Sequence, residues 1–200
     1  MDLDLISTNP CEGIKSLYSV NRAAIIWTPD DIKAVKAVAS PEVGYVIDLA
    51  VHTGLRAGDL ARLSWAHISA DAICIPTGKS RGSVEAVVPL YDGLRAVLAT
   101  IPKRSTVVLT NEAGKPWKAV NGTSFSKARD KALPGKDLHF HDLRGTAATK
   151  FYLAGLKPPD IAEIMGWETA KVEKIIRRYV GSDARTAAII QQLNQTQRGT

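Results

Sequence analysis

Two helix-start signals near the beginning of the chain, each followed by apolar residues, are the strongest constraint on the fold. Residues 28–31 read TPDD, which supplies a capping hydroxyl, a proline for the first turn and two acids near the positive end of a helix dipole. Residues 40–42 read SPE and repeat the signal, and the segment after them stays largely apolar up to Gly54. We therefore expect two consecutive helices, the second of them largely buried.

A third helix and a pair of strands are expected next. The helix begins near Arg56, and its spacing places Leu60 and Leu63 on the core side. Residues 72–76 and 84–89 have the composition of two β-strands, and the glycine-bounded basic turn between them predicts a hairpin.

The remainder of the chain is predicted to be helical apart from one short strand at residues 107–109. From Thr123 onward the apolar spacing is helical, and proline or glycine interrupts it at several points. The expected fold class is therefore mainly α with a small antiparallel β-sheet, an α+β fold.

The domain organisation follows from where periodicity begins. Residues 1–27 show no clean period and predict a linker-like N-terminal extension. Residues 28–200 are expected to form one domain. Its C-terminal tail, from about residue 184, predicts an amphipathic helix with apolar residues at Ala187, Ile189, Ile190 and Leu193.

Composition restricts the class of protein. The chain has 200 residues, 45% hydrophobic and 23% charged, which is globular, and no segment is long and apolar enough to cross a membrane. The first residues are acidic where a signal peptide requires lysine or arginine, so we expect a cytoplasmic protein. Cys11 and Cys74 share no metal-ligand spacing and are expected to be reduced, structural thiols.

The positive charge of the chain is concentrated in its second half. Residues 115–178 contain 13 Lys or Arg against 7 Asp or Glu, which accounts for the whole net charge of +6. Such a balance suits an acidic polymer such as DNA, although a run of charges is also the ordinary pattern of a solvated face. The basic residues that would follow a DNA backbone are Lys115, Lys118, Lys127, Arg129 and Lys131.

Six side chains in different parts of the sequence are suited to chemistry on a phosphodiester. They are Arg56, Lys79, His141, Arg144, Trp167 and Tyr179. Guanidinium, ammonium, imidazole and indole N–H groups can all donate to phosphate oxygens, and a phenol is an oxygen nucleophile. No Walker-type loop and no carboxylate cluster accompanies them, so the set predicts phosphoryl transfer on DNA without a metal ion or a nucleotide cofactor.

Taken singly, each of these residues also has an ordinary structural interpretation. Arg56 could pair with Asp59 three residues on, and Lys79 could be a solvated turn lysine. The spacing of His141 and Arg144 places both on one face of a predicted helix, but a surface histidine beside a solvated arginine would show the same spacing. Trp167 could be a core aromatic residue.

The motifs around these residues, in their order along the chain, resemble the catalytic domain of the tyrosine recombinases, also called the phage integrase family. The matching stretches cover roughly residues 28–190. They read TGLRAGDL at 53–60, HDLR at 141–144, MGW at 165–167 and RY at 178–179, with Lys79 in the hairpin between the first two. In one respect the chain departs from the family: Trp167 and Tyr179 are 12 residues apart, and about nine is usual there.

The resemblance implies a role for each residue near the reacting phosphate. Arg56 and Arg144 would bind the phosphate oxygens, and Asp59 would hold the arginine or its helix in place. Lys79 would be the general acid for the departing 5′-oxygen, and Arg81 in the same turn would contact the DNA backbone.

The remaining roles concern the attacking group. Tyr179 would be the nucleophile, and His141 would help to hold the phosphate and accept or relay the proton. Tryptophan replaces the histidine that many members carry at position 167, and because indole can only donate, Trp167 would position the phosphate.

The function implied is site-specific DNA recombination through a 3′-phosphotyrosine intermediate, for integration or excision of a mobile element. Double-stranded DNA is the expected partner, the tail helix would join protomers into a tetramer on DNA, and the N-terminal core-binding domain usual in the family is expected to be absent. The alternatives are relaxation of DNA by a type IB topoisomerase and a non-catalytic DNA-binding remnant. A prokaryotic or phage-encoded origin is expected.

Overall fold

The computed structural model describes residues 13, 22, 25–78 and 85–180, with the backbone alone for residues 178 and 179. Within these ranges the chain forms eight α-helices and a two-stranded sheet. The bounds are α1 Pro29–Val38, α2 Pro41–Thr53, α3 Ala57–Arg62, β1 Ala72–Pro76, β2 Glu85–Pro89, α4 Asp92–Thr100, α5 Thr123–Ala132, α6 Leu143–Leu153, α7 Pro158–Met165 and α8 Thr169–Tyr179. The α+β prediction is confirmed, and the predicted tail helix from about residue 184 lies outside the described residues.

The predicted starts of the first two helices are confirmed. The Thr28 hydroxyl accepts from the Asp31 amide and the Asp31 carboxylate accepts from the Thr28 amide, which satisfies two free donors at the start of α1. At the start of α2 the Ser40 hydroxyl accepts from the Val43 amide. Helix α2 ends at Gly54, whose φ of +65° favours glycine, and a Cβ there would lie 2.7 Å from the Met165 side chain.

The predicted hairpin is confirmed, and the prediction of a third strand at residues 107–109 is wrong. Strands β1 and β2 pair antiparallel with Cys74 opposite Val87. Residues 107–109 form no strand. Val107 makes an isolated bridge with Ser64, and the Val108 amide donates to the Leu63 carbonyl over 2.8 Å. Val108 and Leu109 are buried, but they belong to a loop. Helix α4 was not predicted.

Helix α6 lies at the centre of the domain and packs against α2, α7 and α8. Trp27, at the end of the predicted extension, is buried beside it with 1% of its surface exposed. Its indole N–H donates to the His139 carbonyl over 2.9 Å, and its backbone amide donates to the Thr146 hydroxyl over 2.8 Å. The residues just before α1 thus contact the domain, while the boundary at residue 28 stays a prediction.

No helix in the described ranges has the length and apolar character needed to span a bilayer. Cys74 carries no disulfide in the described part of the chain, and Cys11 lies outside it.

Replacing Trp27 by alanine tests how far the segment before α1 supports the fold. We expect Trp27→Ala to lower the free energy of unfolding by about 3–5 kcal/mol, because it opens a large cavity and removes the contact to His139. Urea denaturation would measure the change. Val38→Ala, on an exposed position of α1, is the control and should change the value by about 0.5 kcal/mol or less. Equal effects of the two substitutions would contradict the prediction.

Candidate active site

Arg56 stands at the entrance to α3, where the chain turns after the end of α2. It is the N-cap residue of α3, and its side chain is mostly buried, with 22% exposed. Its guanidinium lies 3.8 Å from the Asp59 carboxylate, so the ion pair expected from the i, i+3 spacing is present but long. The junction of loop and helix therefore presents the guanidinium at the surface of the domain without fully neutralising it.

Asp59 joins three parts of the chain. Its side chain is buried, and Oδ1 accepts from the Arg62 guanidinium over 2.6 Å and from the Gly78 amide over 2.9 Å. Its second oxygen, which faces Arg56, has no hydrogen-bond partner in the described part of the chain. Asp59 thus anchors the start of the hairpin turn as well as α3, a link that the sequence did not predict.

The turn that follows Gly78 carries two of the predicted residues. Lys79 and Arg81 both lie outside the described residues, so their assignments stay predictions. Arg62 was missed, although its i, i+3 spacing from Asp59 was visible in the sequence.

His141 and Arg144 do not share one α-helix, and that prediction is wrong. His141 lies in a 3₁₀ turn, Phe140–Asp142, whereas Arg144 lies in the first turn of α6. Both nevertheless line one small cavity of about 60 Å³, together with Ala57 and Asn121. Arg144 is buried with 3% exposed, and His141 stays exposed at the rim.

The charge of Arg144 is poorly compensated. One of its nitrogens, Nη2, donates to the Met165 carbonyl over 3.0 Å, and its Nε has no hydrogen-bond partner in the described ranges. Burial and, to a smaller extent, the neighbouring positive charge of Arg56 lower the pKa of Arg144 to about 9, although Asp59 partly opposes the shift. Two guanidinium groups held close together without a carboxylate for each favour an anion between them.

The electrostatic environment of His141 favours its neutral form. Partial removal of the ring from water lowers its pKa below the usual value, and the positive charges of Arg144, Lys171 and Arg56 lower it further. Asp142 acts in the opposite direction. A neutral imidazole at physiological pH can accept a proton, which a charged one cannot.

Trp167 follows the turn that ends α7 and contacts two cations. Gly166 adopts a φ of +57°, and the Trp167 amide donates to the Ala162 carbonyl over 2.8 Å. The Arg144 guanidinium carbon lies 4.8 Å from the centroid of the indole ring, and Lys171 Nζ lies 4.3 Å from it. Trp167 is therefore held beside the buried arginine, and Lys171 is a neighbour that the sequence analysis missed.

Tyr179 is the last residue of α8, and the structure describes its backbone without its side chain. Helix α8 begins two residues after Trp167 and packs against α6 and α7, the helices that hold Arg144 and Met165. Most of the spacing between Trp167 and Tyr179 is therefore a single helix of 11 residues.

The predicted DNA-contact residues differ in their surroundings. Lys115, Lys118, Lys127 and Lys131 are exposed, and the last two lie one turn apart on α5. Arg129 is instead mostly buried. It pairs with Asp130 at 2.6 Å and donates to the Leu138 carbonyl over 3.0 Å, so its guanidinium already stabilises the end of α5.

Potential metal ligands are scattered rather than clustered. Across residues 25–78 and 85–180 the structure brings no three His, Cys, Asp or Glu side chains together as a metal ion would require. The lining of the small cavity is mostly apolar, and its polar side chains, Asn121, His141 and Arg144, can each donate a hydrogen bond to an anionic ligand.

The cations around His141 should control its titration. We expect His141 to titrate below pH 6.5 by NMR, and Lys171→Met to raise its pKa because one positive charge is removed. His141→Gln would identify the signal. Lys174→Met removes the same charge from the neighbouring turn of α8 and is the matched control. Equal shifts in both variants would show that Lys171 has no specific effect on the imidazole.

Comparison with known proteins gives one family and one fold. The family model described as the phage integrase family matches residues 26–185. The solved lambda integrase catalytic core is 21% identical with a TM-score of 0.60, and the alignment covers 70% of this chain and 90% of that one. No curated protein matched the chain in a direct sequence comparison.

Two further solved structures are longer than this chain. A lambda integrase tetramer bound to a Holliday junction is 22% identical with a TM-score of 0.61, over 74% of this chain and 47% of that one. The XerA recombinase is 16% identical with a TM-score of 0.62, over 84% of this chain and 63% of that one. The chain therefore spans about half of the first protein and less than two thirds of the second, and at these identities the likeness establishes the fold.

Proposed function

The chain belongs to the phage integrase family, whose members break and rejoin DNA, and from this premise we propose that it is a site-specific recombinase that uses Tyr179 as its nucleophile. Integration or excision of a mobile element would be its biological reaction. The observation that carries the proposal is the buried, under-neutralised Arg144 beside Arg56, and together these two residues would bind one phosphate.

The phosphate fits this site for electrostatic reasons. A non-bridging oxygen between Arg56 and Arg144 would relieve the repulsion of the two guanidinium groups and occupy the free donors of Arg144. The charge on these oxygens grows as the phosphorus becomes five-coordinate, so preorganised donors stabilise the transition state more than the ground state. Trp167, held against Arg144, would position the same group through its indole N–H.

The chemical step is a transesterification. The Tyr179 oxygen attacks phosphorus and forms a P–O bond, while the bond to the 5′-oxygen breaks. A phenol with a pKa of about 10 must lose its proton as it attacks, and the neutral His141 would accept or relay that proton. In the 3′-phosphotyrosine that results, an ester bond to tyrosine replaces the ester bond to the 5′-oxygen. A 5′-hydroxyl can therefore attack it, reverse the step and rejoin the strand.

The departing 5′-oxygen needs a proton, which Lys79 would supply. Asp59 supports this role, because it binds the backbone of Gly78 immediately before Lys79 and also faces Arg56. Asp59 would thus help to position both the proton donor, Lys79, and the phosphate-binding residue, Arg56. No metal ion takes part in the proposed reaction.

Double-stranded DNA is the proposed partner, contacted by the exposed lysines of residues 115–131 and by Arg81. Arg129 would contribute less, because its guanidinium is already engaged. A tetramer on DNA, joined through the tail from about residue 184, is part of the proposal, supported by the similar fold of the lambda integrase tetramer bound to a Holliday junction. The protein would act in the cytoplasm, as family members typically do, and would be encoded by a prokaryote or a phage.

The alternatives receive less support. The family that matches 26–185 is that of the integrases, which favours site-specific recombination over general relaxation by a topoisomerase. A non-catalytic remnant would have no need of a buried arginine with a second arginine and a neutral histidine beside it.

Tyr179→Phe tests the nucleophile. Nicked DNA substrates that trap the cleaved strand, tiled across the DNA that flanks the gene, should give a covalent protein–DNA adduct on a denaturing gel. The substitution should abolish the adduct because no other side chain supplies the attacking oxygen. Tyr152→Phe, which removes a hydroxyl elsewhere, is the control and should retain it. An adduct that persists in Tyr179→Phe would refute the assignment.

Lys79→Ala tests the general acid. We expect cleavage of an ordinary phosphodiester to fall by about 10²–10⁴-fold, the range typical of a lost proton donor. A substrate with sulfur in place of the 5′-bridging oxygen should restore the rate, because a thiol with a pKa of about 8.5 leaves without protonation. Single-turnover gel assays would measure both rates. A variant equally slow on both substrates would show that Lys79 does something other than protonate the leaving group.

A further inference from the structure

We propose that Arg22, in the segment before α1, is a positioning residue that holds His141 in place through the buried carboxylate of Asp142. This inference rests on the proposed function only in its last step, where a displaced His141 slows cleavage. The positioning itself is a property of the protein without DNA.

Arg22 makes a dense set of contacts with one turn of the domain. Its Nη2 and Nε donate to the two carboxylate oxygens of Asp142 over 2.8 and 3.2 Å, a two-point contact. Its Nη1 donates to the Asp137 carboxylate over 2.8 Å, and Nη2 also donates to the Asp137 carbonyl over 2.8 Å. A planar guanidinium is suited to this geometry, and a lysine ammonium could not reproduce it.

Asp142 is the residue through which Arg22 acts. It follows His141 directly, and its side chain is buried with 1% exposed. Besides accepting from Arg22, its carboxylate accepts from the His139 amide over 2.7 Å, and the Asp142 amide donates back to the His139 carbonyl over 3.1 Å. Asp142 therefore closes the 3₁₀ turn that carries His141.

The charge balance makes this turn dependent on Arg22. A buried carboxylate is stable only when it is paired, and removing one partner of a buried pair leaves the other uncompensated. Asp137 is largely exposed, so Arg22 could lose that contact at little cost, whereas the contact with Asp142 is sheltered. The pair raises the pKa of Arg22 above its ordinary value, so the guanidinium stays charged.

Trp27 ties the same segment to the same turn at a second point. Its indole N–H donates to the His139 carbonyl, which is also the acceptor that closes the turn. The residues that enter the domain thus hold the His141 turn from two sides. A displacement of Arg22 or Trp27 would therefore move the turn that carries His141.

Backbone hydrogen exchange of the protein without DNA tests the positioning. Arg22→Met should raise exchange at residues 139–143 while the rest of the described helices keep their protection. The matched control is Arg104→Met, because Arg104 also pairs with a buried carboxylate, Glu42, at 3.0 Å, but far from His141 in the chain. Loosening of residues 139–143 in both variants, or in neither, would overturn the proposal.

Cleavage of the nicked substrates tests the consequence. At equal folded fraction, Arg22→Met should bind DNA as the wild type does but form the adduct about 10- to 100-fold more slowly, because a displacement on the order of 1 Å costs about 100-fold. Arg22→Lys should show a smaller loss and serves if Arg22→Met does not fold.

In Arg22→Met combined with Asp142→Asn, the effects should be non-additive, since both act on one contact. Additive losses would mean that Arg22 does not act through Asp142.

The two hypotheses fail in different ways. If the wild-type protein forms no adduct, the proposed recombinase activity fails, and hydrogen exchange still decides whether Arg22 positions the turn. If the wild type forms the adduct and Arg22→Met forms it equally fast, the activity stands and the positioning role of Arg22 is wrong.

Discussion

The site depends on a guanidinium that folding has removed from water without giving it a carboxylate of its own. Arg144 is buried by the helices that meet around α6, and Arg56 approaches it from the start of α3. The nearest acid, Asp59, is shared with Arg62 and with the backbone of Gly78. The repulsion that remains is a cost to the free protein, and in the proposed complex a bound phosphate would turn it into a favourable interaction. The charges around Arg144 would then be balanced only when the substrate is bound.

The parts of the fold that could be predicted from the sequence are those whose signals are local. The caps at Thr28 and Ser40 and the glycine at the end of α2 specify helix ends through neighbouring residues, and each was found where expected. Helix α4 begins at Asp92, after Tyr91, whose side chain does not cap the helix, so the sequence gave no such signal there. The apolar run at 107–109 has the composition of a strand, but it pairs with the chain at Leu63 and Ser64 through single contacts, which only the tertiary structure shows.

The candidate site divides in the same way. The motifs around Arg56, His141 and Trp167 led to residues that the fold brings to one region, because the motifs include the turns that present them. The assumption of a continuous helix from His141 to Arg144 was wrong because residues 140–142 form a 3₁₀ turn, in which Asp142 pairs with Arg22, 120 positions away in the sequence. Lys171 was missed for a related reason, since a lysine on an exposed helix is ordinary until the fold places it against an indole. Long-range charge pairing has no local pattern in a single sequence.

The shared anchor at Asp59 has an electrostatic meaning. A carboxylate that holds both the backbone of Gly78 and the neighbourhood of Arg56 makes the hairpin base and the phosphate-binding arginine parts of one mechanical unit. A phosphate that draws Arg56 towards itself would take an electrostatic partner from the Asp59 oxygen that faces it, while the other oxygen keeps its contacts with Arg62 and Gly78. Binding of the scissile group would then change the charge balance at the base of the hairpin as well as at the phosphate.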